Sequence, residues 1–480
     1  MGYRLVLKTI GKILLLESIL MFLPLIISII YQDGNVSVFL SSIIILFLLG
    51  FLFLRIKTES KKLFLHENFI IVAICWIVMS IFGAVPFILS KEFSSIINSI
   101  FESISGFTAT GTTILINIEN LSKSILFWRG FTQWIGGLGV LTFIIAVLPG
   151  KNSFNNMFKT EITGPSKEKL VPKLSQNAKI LYLIYISLTC LEIIFLLLAG
   201  MNFYDAVIHA LSNAGTGGFS NKNLGVVYYK NIFIEIILLI FMILFSINFA
   251  FYYDIVEKNF KSIIQNDEFK FYIFILILSS VIVFFDINKI YRSCFVSLRY
   301  SVFSVTSTIS TSGYAIIDKN NLPSLSQFIL FILMIFGGCA GSTSGGLKLI
   351  RILIIIKLIT REINKLFHPK IIENIEINNS SVSEKMLYDV LIYFCVFIFI
   401  IFSFTFLLIL TDKKDIWSSL NIIISSLNNI GYCFGNLSTS KNLENLSNLG
   451  KIILSTCMII GRLEIYPVIL MILSIFKIKK

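Results

Sequence analysis

Long runs of apolar residues alternate with short polar links from one end of the chain to the other. Crossing roughly 30 Å of hydrocarbon takes about 20 helical residues. Runs of that kind lie at about 12–30, 38–54, 69–89, 125–148, 180–199, 232–253, 271–285, 328–358, 387–410 and 451–476. The pattern predicts an all-α polytopic membrane protein with ten spans. Spans three to ten fall into pairs, and within each pair lies a segment of another kind. The first runs Phe101 to Thr113, FESISGFTATGTT, and is full of glycines and small hydroxyl residues. Such backbone at membrane depth survives only where it is buried in protein or lines water.

The segment recurs about every hundred residues. Its further copies are Ser212-Asn213-Ala214-Gly215-Thr216-Gly217-Gly218-Phe219, Ser307-Thr308-Ile309-Ser310-Thr311-Ser312-Gly313-Tyr314 and Ser425-Ser426-Leu427-Asn428-Asn429-Ile430-Gly431-Tyr432. Aligned on one glycine they give Gly111, Gly217, Gly313 and Gly431, with Thr110, Thr216, Ser312 and Ile430 before them. Gly217 is taken in the second copy because Thr216-Gly217 parallels Thr110-Gly111; the fourth copy matches the others least. Glycine lets a carbonyl turn toward an axis without a Cβ in the way. A row of carbonyl oxygens can replace the hydration shell of a cation. The expected organisation is two N-terminal helices (1–66) and four repeats of helix, pore loop and helix. The repeats are 67–170, 171–265, 266–375 and 376–480, with their loops meeting around one pore.

With 56% hydrophobic residues and a mean hydropathy of +0.87, a soluble domain is excluded. The net charge of +13 raises nucleic acid as a partner, but the basic residues sit in the short links between spans. They mark Arg4–Lys12, Arg55–Glu67, Gly150–Lys179, Lys357–Lys370 and the end, Lys477 to Lys480, as the inner side. Both termini are then cytoplasmic, and the bilayer, not nucleic acid, is the partner. The seven cysteines have no CxxC spacing and the three histidines make no metal set. No P-loop, dinucleotide fingerprint or Ser/His/Asp set is present. Neither an enzyme nor a cofactor is expected, and any nucleotide control must come from another chain.

Two features interrupt spans. Gly337, Gly338, Gly341, Gly345 and Gly346, with Ser342, Thr343 and Ser344 among them, fall within one run. Glycine costs a helix about 1 kcal/mol against alanine, so residues 337–346 should open into an intramembrane loop. The same spacing also fits a helix-packing seam, with Gly337, Gly341 and Gly345 at every fourth position. Arg462 lies inside the last span, where a charge costs at least ~2.5–3.5 kcal/mol at the centre. It reads either as an electrostatic barrier or as half of an ion pair with Glu464. Glu102 and Arg129 read as structural pairs at loop ends.

Together the four loops, the run Trp128 to Gly139 (WRGFTQWIGGLG), the run Gly337 to Lys348 (GGCAGSTSGGLK) and Gly461-Arg462-Leu463-Glu464 resemble the Trk/Ktr/HKT superfamily of potassium transporters. The length and the two extra N-terminal spans resemble its bacterial Trk branch. That resemblance implies K⁺ held by the carbonyls of Gly111, Gly217, Gly313 and Gly431, a gate at 337–346 and a barrier at Arg462. Four glycines, with no serine at the first, resemble the potassium-conducting members. It further implies the bacterial cytoplasmic (inner) membrane, a homodimer, and a cytoplasmic nucleotide-binding regulator of the RCK type on the links 150–179 and 348–370. Coupled symport of K⁺ with H⁺ or Na⁺ is the competing function. Such transporters tend toward inverted repeats, whereas here every repeat has the same topology.

Overall fold

The computed structural model describes residues 3–57, 65–137, 139, 174–369, 374–378, 380–435, 437 and 440–475. Leu138, most of the basic link Gly150–Lys179, the end of the span begun at Ile125, and Lys61, Lys62, Lys370, Lys477, Lys479 and Lys480 lie outside the described residues.

Among the described residues, six helices are long and apolar enough to cross a membrane: Arg4–Tyr31, Val36–Leu54, Glu67–Ser90, Ala178–Leu198, Asp267–Tyr291 and Glu384–Asp412. Two further candidates are bent pairs, Ile232–Ser246 with Ala250–Val256 at 97° and Asn448–Arg462 with Tyr466–Ser474 at 116°. The other two of the ten expected spans take different forms. The span from Ile125 appears as the helix Lys123–Gly137, and the run 328–358 is parted into Ser324–Ile335 and Leu349–Phe367. Large apolar side chains such as Phe285, Phe399, Phe402 and Phe406 stay exposed on the outer faces, as a hydrocarbon surround requires.

Prolines set several of the breaks. A proline inside a helix removes a hydrogen bond and its ring clashes with the carbonyl four residues earlier. The helix Tyr3–Leu20 stops four residues before Pro24, and Leu65–Phe82 stops four before Pro86. The 116° bend comes at Leu463, four before Pro467.

Four shorter helices, Ile96–Phe107, Phe203–Ala214, Cys294–Ile309 and Ile416–Leu427, lie between the paired spans. Three begin on a side-chain cap: Ser95 Oγ accepts from Asn98 N, Asn202 Oδ1 from Asp205 N, and Asp415 Oδ2 from Ser418 N. Such caps satisfy amide groups a helix start leaves free. All four end in the centre of the molecule, at the glycine segments. The turn after Tyr31 is tied to this core through Asp33, which accepts from Ser28 Oγ, Asn35 N and Ser124 N. Burial alone would raise the Asp33 carboxyl, but these bonds outweigh it and hold it below the usual carboxylate range. Short elements without a counterpart in the sequence reading include a hairpin, in which Glu376–Ile377 pairs antiparallel with Ser380–Ser381. Lys357 Nζ holds it through Glu376 O at 2.7 Å and meets Asp267 at 3.0 Å.

Candidate functional site

Each short helix gives way to the same backbone motif. A residue in left-handed conformation comes first: Ala109, Thr216, Thr311 and Asn429, with φ of 52°, 55°, 59° and 54°. Two residues on stands a glycine, also at positive φ: Gly111, Gly218, Gly313 and Gly431. The residue between them donates its amide to the helix, Thr110 to Ser105 O, Gly217 to Ser212 O, Ser312 to Ser307 O and Ile430 to Ser425 O, at 2.9–3.1 Å. This fixes the register and corrects the second loop. Gly218, not Gly217, stands where Gly111, Gly313 and Gly431 stand; Gly217 takes the place of Thr110, and Thr216 that of Ala109. Thr216-Gly217 shares side-chain identity with Thr110-Gly111, but backbone conformation sets the register. The fourth loop keeps the expected register, and its asparagine fits the left-handed position, which Asn enters more readily than most residues.

The four loops close on one another. A Cβ added to Gly111 would lie 1.8 Å from Gly217 O, and one on Gly218 1.9 Å from Ser312 O. On Gly313 it would lie 2.0 Å from Ile430 O, and on Gly431 2.3 Å from Thr110 O. Loop one thus abuts loop two, two abuts three, three abuts four, and four returns to one. The result is a closed ring of four glycines and four backbone carbonyls, those of Thr110, Gly217, Ser312 and Ile430. No other residue type fits the glycine positions, on both space and φ.

Polar side chains brace the ring from behind. Gln133 Nε2 donates to Gly217 O at 2.9 Å, while its Oε1 accepts from Phe219 N and Ser212 Oγ. Glu102 and Arg129, both buried, pair at 2.6 Å. Arg129 Nη1 also reaches Ser220 O at 2.9 Å, and its guanidinium lies 3.4 Å from the Phe219 ring centre. Glu102 in turn accepts from Thr113 Oγ1. One ion pair therefore joins the far ends of loops one and two, the structural role expected of these residues. Asn429 Nδ2 bonds Thr110 Oγ1 at 2.8 Å across the junction of loops four and one.

Directly beneath, residues 336–348 leave the helix altogether. The helix-packing seam of Gly337, Gly341 and Gly345 is thereby overturned, since no helix runs through them. Gly337 N bonds Leu347 O, closing the stretch into a loop, and Gly341 and Gly346 sit at φ of 74° and 72°. Two left-handed residues of the ring loops hold it from above: Thr311 Oγ1 accepts from Gly345 N at 2.8 Å, and Thr216 Oγ1 donates to Thr343 O at 3.1 Å. Cys339 N and Phe249 N tie it to the bend after Ser246, through Ser246 O and Gly341 O. Glu268 Oε1 accepts from Ala340 N and Ile350 N.

Arg462 ends the helix Asn448–Arg462 and turns its guanidinium onto backbone. Nη1 donates to Thr343 O at 3.0 Å, and Nη2 to Gly136 O and Gly137 O, the last carbonyls of helix Lys123–Gly137. A cation at a helix C-terminus is favoured by the helix dipole. Glu464, the alternative partner, meets Arg351 Nη2 at 2.5 Å.

Sequence reasoning missed Gly218, Gln133, Glu268 and Arg351. Gln133 had a signal, a polar amide within an apolar run that needs a partner, whereas Glu268 is lost among the charged residues of Gln265 to Lys270. Which partner is set by tertiary contacts from distant segments. Among the described residues, no group of three or more His, Cys, Asp or Glu is placed to hold a metal.

Comparison with known proteins agrees with this architecture. A family model described as "TrkH: Cation transport protein" matches residues 35–477. The chain is 32% identical to the Trk system potassium uptake protein TrkH of Halomonas elongata, with 98% of each chain covered. It is 30% identical to the protein of that name in Escherichia coli K12, again over 98% of each. The crystal structure of the potassium transporter TrkH from Vibrio parahaemolyticus superposes with a TM-score of 0.88 at 28% identity, covering 98% of both chains.

Proposed function

The chain belongs to the TrkH family of cation transport proteins, and on that premise we propose that it takes up potassium through the ring of Thr110, Gly217, Ser312 and Ile430 carbonyls and their glycines. The observation that carries the reading is the closed succession of loop contacts, each glycine against the next loop's carbonyl. Four converging carbonyls offer a dehydrated K⁺ the oxygen shell it loses on entering. The corrected register makes Gly111, Gly218, Gly313 and Gly431 the positions that must stay bare. Its relatives are named as transporters, and the chain is an integral membrane transporter of that kind. We place it in the bacterial cytoplasmic membrane with both termini inside, because its basic links fall on one side.

Residues 337–346 act as the gate. They lie under the ring and are held by bonds from Thr311, Thr216, Glu268 and Arg462 that differ in origin and can be released separately. Arg462 places a fixed positive charge beside that loop and latches Thr343 to the end of helix Lys123–Gly137. The four units share one topology, which favours conduction through a pore over symport with H⁺ or Na⁺. The names of the relatives place them in a multi-component system. In keeping with that, a homodimer gated by an RCK-type nucleotide-binding subunit is the assembly we infer, with the subunit on the inner links 150–179 and 348–370. Single-channel recording of the reconstituted protein tests the reading. Unitary K⁺ currents above any alternating-access turnover are expected; slow, strictly coupled flux would favour symport.

A further inference from the structure

The residue after each ring glycine is Thr112, Phe219, Tyr314 and Tyr432 in loops one to four. Three of the four are aromatic, and each reaches back to the loop or short helix before its own. The Tyr432 hydroxyl bonds Thr308 Oγ1 on the third short helix. The Tyr314 hydroxyl donates to His209 O and Phe219 O, each at 3.3 Å. The Phe219 ring lies 3.7 Å from where a Cβ on Gly106 would stand, on the first short helix. Thr308 and Gly106 occupy one place, the residue after Ser307 and Ser105, whose carbonyls set the loop register. In the fourth helix that place is Ser426, and the correspondence sets Thr112 opposite it.

At this junction the pattern changes. Thr112 is too short to cross as the rings do. Thr112 Oγ1, Ser425 Oγ and Ser426 Oγ are buried, and none has a hydrogen-bond partner among the described residues. All three residues are 0% exposed. The equivalent serines elsewhere are satisfied: Ser105 Oγ bonds Thr112 O, Ser307 Oγ bonds Tyr314 O, and Ser212 Oγ bonds Gln133 Oε1. The ring contact is also widest here, 2.3 Å at Gly431 against 1.8–2.0 Å at the other three. Buried hydroxyls in native proteins find protein or ordered water. The correspondence therefore sets two unpartnered hydroxyls, those of Thr112 and Ser426, where the other junctions hold an aromatic ring, and buried hydroxyls of that kind suit water.

We propose that the junction of loop one with the fourth short helix binds water through Thr112 and Ser426, and that this water determines how strictly the ring selects K⁺. The proposal rests on the ring being the potassium filter. An aromatic wedge fixes the spacing of two loops, whereas bound water fixes it only through the hydroxyls that hold it. Taking those hydroxyls away lets loop one relax and admits the smaller Na⁺.

The test uses the full chain in liposomes and planar bilayers, reading the K⁺/Na⁺ permeability ratio from reversal potentials and K⁺ flux per inserted molecule. Thr112→Val and Ser426→Ala should each lower the ratio about fivefold, the equivalent of one net hydrogen bond. Thr112→Ser, which keeps the hydroxyl, should retain the wild-type ratio. The double variant Thr112→Val with Ser426→Ala should fall no further than the worse single, since both act on the same water. An unchanged ratio in both single variants, or a Thr112→Ser variant as poor as Thr112→Val, would overturn the proposal. If Thr112→Val fails to insert, the Ser426→Ala ratio decides in the same way. Gly218→Ala separates this from the reading beneath it. Retained K⁺ flux there defeats the filter itself, whereas unaltered ratios beside an inactive Gly218→Ala defeat only the water site.

Discussion

Gly111, Gly218, Gly313 and Gly431 each press on a backbone carbonyl of the next loop, always in the same sense around the ring. The glycines beneath them meet a mixture instead. Gly337 faces its own loop at Gly345 O, Gly338 faces Ser344 Oγ and Ser246 O, Gly341 faces Asn248 Oδ1, and Gly345 faces Asn428 O. Both regions are non-helical at membrane depth, and both depend on glycine. In the ring, four backbone contacts of one kind support one another, so none can open without loosening the rest. In the lower loop the glycine contacts are unlike one another, and the bonds that hold the loop come from side chains of separate elements, Thr216, Thr311, Glu268 and Arg462, so each can let go alone. A filter needs the first arrangement and a gate needs the second.

The largest effects should come from breaking the ring. Gly218→Ala sets a Cβ against Ser312 O and strains a residue at φ of 74°. Overpacking and backbone strain cost about 1–3 kcal/mol each, together a loss of about a hundredfold in K⁺ flux at ~1.4 kcal/mol per factor of ten. Gly217→Ala should lose less, about tenfold, because Gly217 is not in left-handed conformation and its Cβ meets the Gln133 amide, whose displacement costs hydrogen bonds, rather than a backbone carbonyl. Rubidium uptake into liposomes, normalised to inserted protein, compares the two directly. Equal losses would return the register to Gly217.

Next comes the latch. Arg462→Ala should raise basal K⁺ flux without any partner subunit, by about tenfold. Two unit charges ~6 Å apart interact by roughly 2–3 kcal/mol at an effective dielectric near 20, more than that rise requires. Arg462→Lys separates two contributions, since lysine keeps the charge but loses the fork that spans Thr343, Gly136 and Gly137. Flux near wild type in the lysine variant assigns the effect to charge, and flux near the alanine variant assigns it to the hydrogen bonds. Alanine flux equal to wild type would remove Arg462 from gating.

Effects on the lower loop alone should be smaller. Gly345→Ala with Gly346→Ala should alter open probability, since the first meets Asn428 O at 2.4 Å and the second sits at φ of 72°. Thr311→Val removes one hydrogen bond to Gly345 N, worth about 0.5–1.5 kcal/mol. It should change open probability by about threefold to tenfold in single-channel records while leaving ion selectivity alone. A change in selectivity with unaltered gating would place Thr311 in the filter instead.

Much of this was legible in the chain. Apolar run length gave six spans whole and two as bent pairs among the described residues, and repetition gave four loops, because a motif returning between paired spans has few soluble explanations. The interrupted span was legible for the same reason that it forms: five glycines among small hydroxyls cannot sustain a helix. The second loop's register was not, because Gly215, Gly217 and Gly218 offer three glycines and only the hydrogen bond to Ser212 O chooses. The partners of Arg462 were also hidden, since Gly136, Gly137 and Thr343 offer backbone carbonyls, which leave no trace in residue identity. Glu464 was the visible partner in sequence, yet Arg351 lies closer to it in space.

The central claim is that a single cation path runs through one ring of four glycines. Serine placed at Gly111, Gly218, Gly313 and Gly431 in turn, with reversal potentials and K⁺ flux recorded for each, tests it most directly. Every one of the four should lose K⁺ flux or shift the permeability ratio toward Na⁺, since each Cβ lands within 2.3 Å of a neighbouring backbone carbonyl oxygen. Wild-type flux together with a wild-type K⁺/Na⁺ ratio at any of the four would contradict it.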